Sequence, residues 1–137
     1  MSDGGILIVD DEPDVVRYLS AVLESHDFRV RSADNTAGAL SQIARQIPSV
    51  ICLDSMMSEE SGLSLFVKLA RQKHTRDIPI IVISGLESEA DFDVRHFVKD
   101  TAVAPPEQYI EKPINVDSFV AAVKRLSGSS HQRSMDR

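Results

Sequence analysis

Apolar residues fall along this chain in two alternating patterns. Short unbroken runs at 6–9, 50–53, 80–83 and 109–110 each lead into a polar residue. Runs this short and rich in β-branched residues read as strands covered on both faces, as in a parallel sheet. Between them, apolar positions recur at helical spacing: Val15, Leu19, Val22 and Leu23, then Leu40, Ile43, Ala44 and Ile47, stopped by Pro48. Leu65, Phe66, Leu69 and Ala70 form a third stripe, Ala90, Val94, Phe97 and Val98 a fourth, and Val116, Phe119, Val120 and Val123 a fifth. Local signals agree. Pro13 suits a first helical turn, Ser88 and Asp91 are spaced as a capping box, and Asn115 can cap the last helix, which the pattern ends near Gly128.

Residues 28–33 (FRVRSA) alternate instead of running apolar, which suits an edge strand with one face toward water. A strand–helix unit repeated five times predicts an α/β fold, a doubly wound five-stranded parallel sheet. With the alternating second strand at an edge, the order is 2-1-3-4-5, the flavodoxin-like (βα)5 sandwich. The 137 residues, 42% hydrophobic, fit one domain with a single core. It is expected over residues 4–127, with a polar, disordered tail at 128–137.

Charge and composition narrow the classes of function. A net charge of −6 argues against direct nucleic-acid binding by this domain, because phosphate contacts need clustered cations. The first residues lack the basic start of a secretory signal, and no apolar run approaches the roughly 18 residues that span a bilayer. A cytoplasmic protein that does not bind membrane is therefore expected. The lone Cys52 sits inside an apolar run and reads as a small buried hydrophobe, with no intrachain disulfide available.

In the predicted order all the strand ends share one edge, where open parallel sheets place their ligand sites. Asp10, Asp11, Asp54, Ser84 and Lys112 fall there. Strands 1 and 3 are neighbours about 4.8 Å apart, so the three carboxylates converge. Such a cluster repels itself, and a hard divalent cation relieves it; carboxylates with waters are what Mg2+ prefers. Lys112 adds a positive charge able to hold a phosphoryl oxygen, and Ser84 adds a hydroxyl. Together they describe a phosphoryl-transfer site with an aspartate as nucleophile. Each part alone says little. An Asp-Asp pair before a helix is commonly a cap favoured by the dipole, an Asp at a strand end is often a turn residue, and a Lys-Pro pair is nearly uninformative. Their joint occurrence, in order along one edge, carries the reading. The four histidines, His26, His74, His96 and His131, show no i, i+4 pairing, so a histidine metal site is not expected.

These residues resemble the receiver domain of bacterial two-component response regulators. The match comprises the acidic pair in Val9-Asp10-Asp11-Glu12, the phosphoacceptor-like Asp54, Met57 three residues later and Gly62 eight residues later. Ser84 stands at the family's Ser/Thr position, Lys112-Pro113 at its Lys-Pro, and Tyr109 at its switch aromatic. The resemblance implies a switch and not an enzyme. Asp54 would accept a phosphoryl group from a sensor histidine kinase or phosphotransfer protein. Asp11, Asp54 and the backbone carbonyl of Met56 would hold Mg2+, with Asp10 assisting through water. Lys112 would pair with the acyl phosphate, and Ser84 would move to bond its oxygen. Tyr109 would then turn inward, reshaping the face around the fourth helix, fifth strand and fifth helix toward a downstream protein or output domain.

Two departures stand out. The family usually has Pro four residues after the phosphoacceptor; here it is Ser58, followed by Glu59-Glu60. Ser84 to Lys112 spans 28 residues, and the approach at 99–108 carries Pro105-Pro106 and no glycine. That segment reads either as a tolerated insertion or as a partner-specific edge. Other classes fit less well. An aspartate-nucleophile phosphatase needs an acid two residues after the nucleophile, where this chain has Met56. A flavodoxin needs a phosphate-cradling first loop, which Asp10-Asp11-Glu12 would repel. A pseudo-receiver that signals without phosphate would not require the full acidic set.

Overall fold

The computed structural model describes residues 5–55, 62–84 and 106–135, with backbone alone for 62–63 and 129–135. Strands β1 (Ile6–Val9), β2 (Val30–Ala33), β3 (Val50–Asp54), β4 (Ile80–Ser84) and β5 (Gln108–Glu111) form one parallel sheet in the order β2-β1-β3-β4-β5. The described helices are α1 (Pro13–Glu24), α2 (Thr36–Arg45), α3 (Gly62–Ala70) and α4 (Val116–Met135). The stripe from Ala90 to Val98 and its Ser88/Asp91 box lie outside the described residues.

The central strands are buried at every position, as unbroken apolar runs require when helices cover both faces. One core layer packs Leu7, Val9, Ile51, Leu53 and Val82 against Ala39 and Ile43 of α2 and Leu65, Phe66 and Leu69 of α3. The opposite layer packs Ile6, Ile8, Cys52, Ile81 and Ile83 against Leu19 and Leu23 of α1 and Phe119, Val120 and Val123 of α4. The edge strand β2 has no fully buried position, in keeping with its alternation. Its ladder begins at Val30, two residues later than the alternation suggests, and Phe28 packs on the core from the preceding turn. Gly5 holds φ +73, and a Cβ there would stand 2.6 Å from the Arg29 carbonyl oxygen, so the entry to β1 needs glycine.

Pro13 begins α1, and the Asn115 side chain accepts the Ser118 amide at 2.9 Å. Both ends differ from expectation elsewhere. Helix α2 stops at Arg45, before the predicted Ile47, which lies beyond the helix and is 44% exposed. The cause is Arg31 of β2, whose guanidinium donates to the Gln42 and Gln46 carbonyl oxygens at 2.9 and 2.8 Å and so ties off that end. Ala44, the other outlying member of that stripe, is exposed. Helix α4 does not end near Gly128 but continues to Met135. An isolated glycine only weakens a helix, by about 1 kcal/mol against Ala, and the residues that follow it are tolerated in helices.

Candidate phosphoryl-transfer site

The site is set by register. Ile8 lies opposite Cys52 and Val9 opposite Leu53, so Asp10 and Asp54 emerge side by side on the face packed by α1 and α4. Asp10 continues β1 by donating its N–H to the Ala33 carbonyl oxygen at 3.1 Å. Asp10, Asp11 and Asp54 each offer a carboxylate oxygen within 4.8 Å of the others. Asp10 and Asp54 are only 2% and 3% exposed. The convergence expected from the strand order is therefore present.

Asp10 has two roles in one side chain. Its Oδ1 accepts the Glu12 amide at 2.9 Å and closes the turn that leads into α1, whose N-cap is Glu12, without a side-chain cap bond. Its Oδ2 is buried with no hydrogen-bond partner among the described residues. Burial pushes the Asp10 carboxyl above its ordinary value; the Glu12 amide and the Lys112 charge oppose the rise, while Glu12 and Asp11 add to it. A buried, unpartnered carboxylate oxygen beside two more carboxylates fits a hard cation, and the all-oxygen set fits Mg2+. A groove of about 800 Å3 between α1 and the β2–α2 edge reaches Asp10 and Asp11, giving a hydrated ion a path to them.

The other side of the site hangs on β4. The Ser84 carbonyl oxygen accepts the Lys112 N–H at 2.9 Å, and Lys112 Nζ lies 3.9 Å from Asp54 Oδ1. This is a long ion pair rather than a tight one. The Lys112-Pro113 peptide is cis. Ser84 is fully buried, and its Oγ has no hydrogen-bond partner among the described residues. Tyr109 pairs with Val82 and is half-buried against the α2–α3 core layer, on the sheet face that also carries Ser84. Met56 and Met57 lie outside the described residues.

Two residues of consequence were not singled out from the sequence. Ser55, next to Asp54, is 2% exposed with an unpartnered Oγ. Glu107, inside the segment read as a loop, donates its N–H to the Ile80 carbonyl oxygen at 3.0 Å and accepts the Ile80 amide on Oε1 at 2.8 Å. It clamps the start of β5 to β4. The two-residue offset from the apolar pair Tyr109-Ile110 was the available signal, since a strand entering the sheet needs its first amides and carbonyls paired.

Three carboxylates, a buried hydroxyl and a lysine gathered at the strand ends of a doubly wound domain suit phosphoryl transfer. The chain matches the response regulator receiver domain family over residues 6–124, and it belongs to that family. It is 35% identical over 126 residues to the nitrogen assimilation regulatory protein NtrX of Azorhizobium caulinodans, a match covering 88% of this chain and 25% of NtrX. It is 32% identical over 121 residues to the phosphate regulon transcriptional regulatory protein PhoB of Escherichia coli, covering 88% of this chain and 50% of PhoB. The chain thus spans a quarter to a half of these two relatives. The signal receiver domain of a histidine kinase from Syntrophus aciditrophicus superposes with a TM-score of 0.79 at 27% identity, covering 91% of each chain. The protein is therefore a regulatory receiver domain of two-component signalling, whose general function is a phosphorylation switch.

Proposed function

We propose that Asp54 is the phosphoacceptor of this domain and that the donor is the phosphohistidine of a sensor kinase or phosphotransfer protein. The observation that carries this is the buried Asp54 carboxylate, held between two further carboxylates and the Lys112 ammonium. A carboxylate oxygen of Asp54 forms the new O–P bond as the donor's P–N bond breaks, and the leaving imidazole takes up a proton. Asp11, Asp54 and the Met56 carbonyl would hold Mg2+, with Asp10 assisting, and the ion would supply positive charge to the transferred group. Lys112 holds a phosphoryl oxygen. Ser84 turns its unpartnered Oγ to another, and Tyr109 moves into the space released.

The remade face, around Tyr109 and α4, is read by a downstream protein or an output domain. We place the domain in the cytoplasm and keep nucleic acid off its own surface, on its net charge of −6. No described helix is long and apolar enough to cross a membrane. The Pro105-Pro106 segment serves partner choice, whereas Glu107 beside it anchors β5 to β4, so a shortened variant must spare Glu107. The test is labelling with a small acyl phosphate. Wild type takes up phosphate with Mg2+ and fails in chelator, and Asp11→Ala fails in both. Labelling of Asp11→Ala equal to wild type contradicts the metal assignment.

A further inference from the structure

Ser55 has no part in the chemistry just described, yet its surroundings are unusual. The Ser55 N–H donates to the Ile83 carbonyl oxygen at 2.9 Å, which extends the β3–β4 ladder one step beyond the Asp54–Ile83 pair. That step places Ser55 directly opposite Ser84, on the same face of the sheet. In a parallel pair such neighbours stand about 4.8 Å apart. Ser55 is 2% exposed and Ser84 0%. The Oγ atoms of both are buried with no hydrogen-bond partner among the described residues. A buried hydroxyl calls for a hydrogen-bond partner. A serine hydroxyl both donates and accepts, and one χ1 step between staggered wells redirects it. Each of these two is thus a group able to satisfy the other.

We propose that Ser55 is a positioning residue of the switch: one χ1 step brings its hydroxyl onto the Ser84 Oγ in the resting protein, where it competes with the phosphoryl group for that oxygen. This rests on Asp54 being the phosphoacceptor. Asp54 projects to the α1–α4 face and Ser55 to the α2–α3 face, so the Ser84 hydroxyl has one partner on each side of the sheet edge. Bonded to Ser55 it points toward the core that Tyr109 borders. Bonded to the phosphoryl group it leaves that side. Removing the Ser55 hydroxyl therefore removes a competitor and moves the resting population toward the activated arrangement.

The experiment measures binding of beryllium fluoride, a phosphoryl mimic, at fixed Mg2+, in wild type, Ser55→Ala, Ser55→Thr, Ser84→Ala and the Ser55→Ala/Ser84→Ala double variant. Ser55→Ala binds about three- to ten-fold tighter than wild type, the scale of one neutral hydrogen bond at about 1.4 kcal/mol per factor of ten. Ser55→Thr, which keeps the hydroxyl, stays near wild type. In the Ser84→Ala background the Ser55 substitution has no further effect, because the coupling between the two has gone. Binding that is unchanged or weakened in Ser55→Ala overturns the inference alone, as does an equal effect in both backgrounds. A wild type that binds no beryllium fluoride overturns the phosphoacceptor reading and this inference with it.

Discussion

Replacing Asp10 by Asn isolates the electrostatic cost of the acidic cluster. Asn keeps an oxygen for the Glu12 amide, bonded at 2.9 Å in the native turn, and removes only the charge. Two unit charges 4.8 Å apart, the limit of separation within the Asp10–Asp11–Asp54 group, repel by about 3.5 kcal/mol at an effective dielectric constant of about 20. Lys112 opposes this repulsion, and charges relax, so the net effect is smaller. Without metal at neutral pH, Asp10→Asn is expected to be more stable than wild type by about 1–2 kcal/mol, or about 3–8 °C in Tm. The pH dependence has a definite sign. Burial raises the folded-state value of Asp10 above 3.8, so its relative stabilisation is complete below 3.8 and is lost as pH rises through the folded value. The gap between variant and wild type should therefore be widest near neutrality and close as acid protonates Asp10. Mg2+ should reverse the order, since at a hundred times its dissociation constant it adds about 2.7 kcal/mol to the protein that binds it. Paired thermal melts in chelator and in Mg2+, from pH 7.5 downward, measure all of this. A metal-free variant less stable than wild type, with a gap indifferent to pH, would refute the reasoning.

Three further outcomes follow from particular contacts. Asn35 Oδ1 accepts the Gly38 amide at 2.7 Å at the start of α2, so Asn35→Ala should cost about 1 kcal/mol in urea unfolding; no loss would mean that the cap is replaced by water. Cys52 is fully buried and its thiol is pushed up to about 12, so thiol reagents should modify it only at the rate of global unfolding, and fast labelling of the native protein would contradict its burial. Met56 and Leu86, two residues beyond Asp54 and Ser84 in the sequence, lie outside the described residues and carry no group that hydrogen-bonds water; Met56→Asn with Leu86→Glu is expected to speed loss of phosphate about ten-fold, or 1.4 kcal/mol of barrier. Wild-type release as fast as that of the double variant would remove these side chains from control of water access.

Much of the architecture was legible because burial on both faces leaves an unmistakable mark on β1, β3 and β4, and because β2, with one face toward water, alternates. Strand order then placed Asp10, Asp11 and Asp54 together, and the observed separation within 4.8 Å agrees. What escaped was decided by contacts between distant segments. The end of α2 depends on Arg31 reaching across from β2, and no local signal at Arg45 announces it. The clamp by Glu107 appears only when β4 lies alongside. Ser55 carries no local signal; its interest comes from the ladder that sets it beside Ser84.

The central claim is that Asp54 alone receives the phosphoryl group. The direct measurement is intact-mass analysis with site mapping of wild type and Asp54→Asn after exposure to a small acyl phosphate and Mg2+. Wild type should gain one phosphoryl group, located on Asp54, and the Asn variant should gain none while melting as a folded protein. An Asn variant labelled as fully as wild type, or a label mapped to another side chain, would contradict the account.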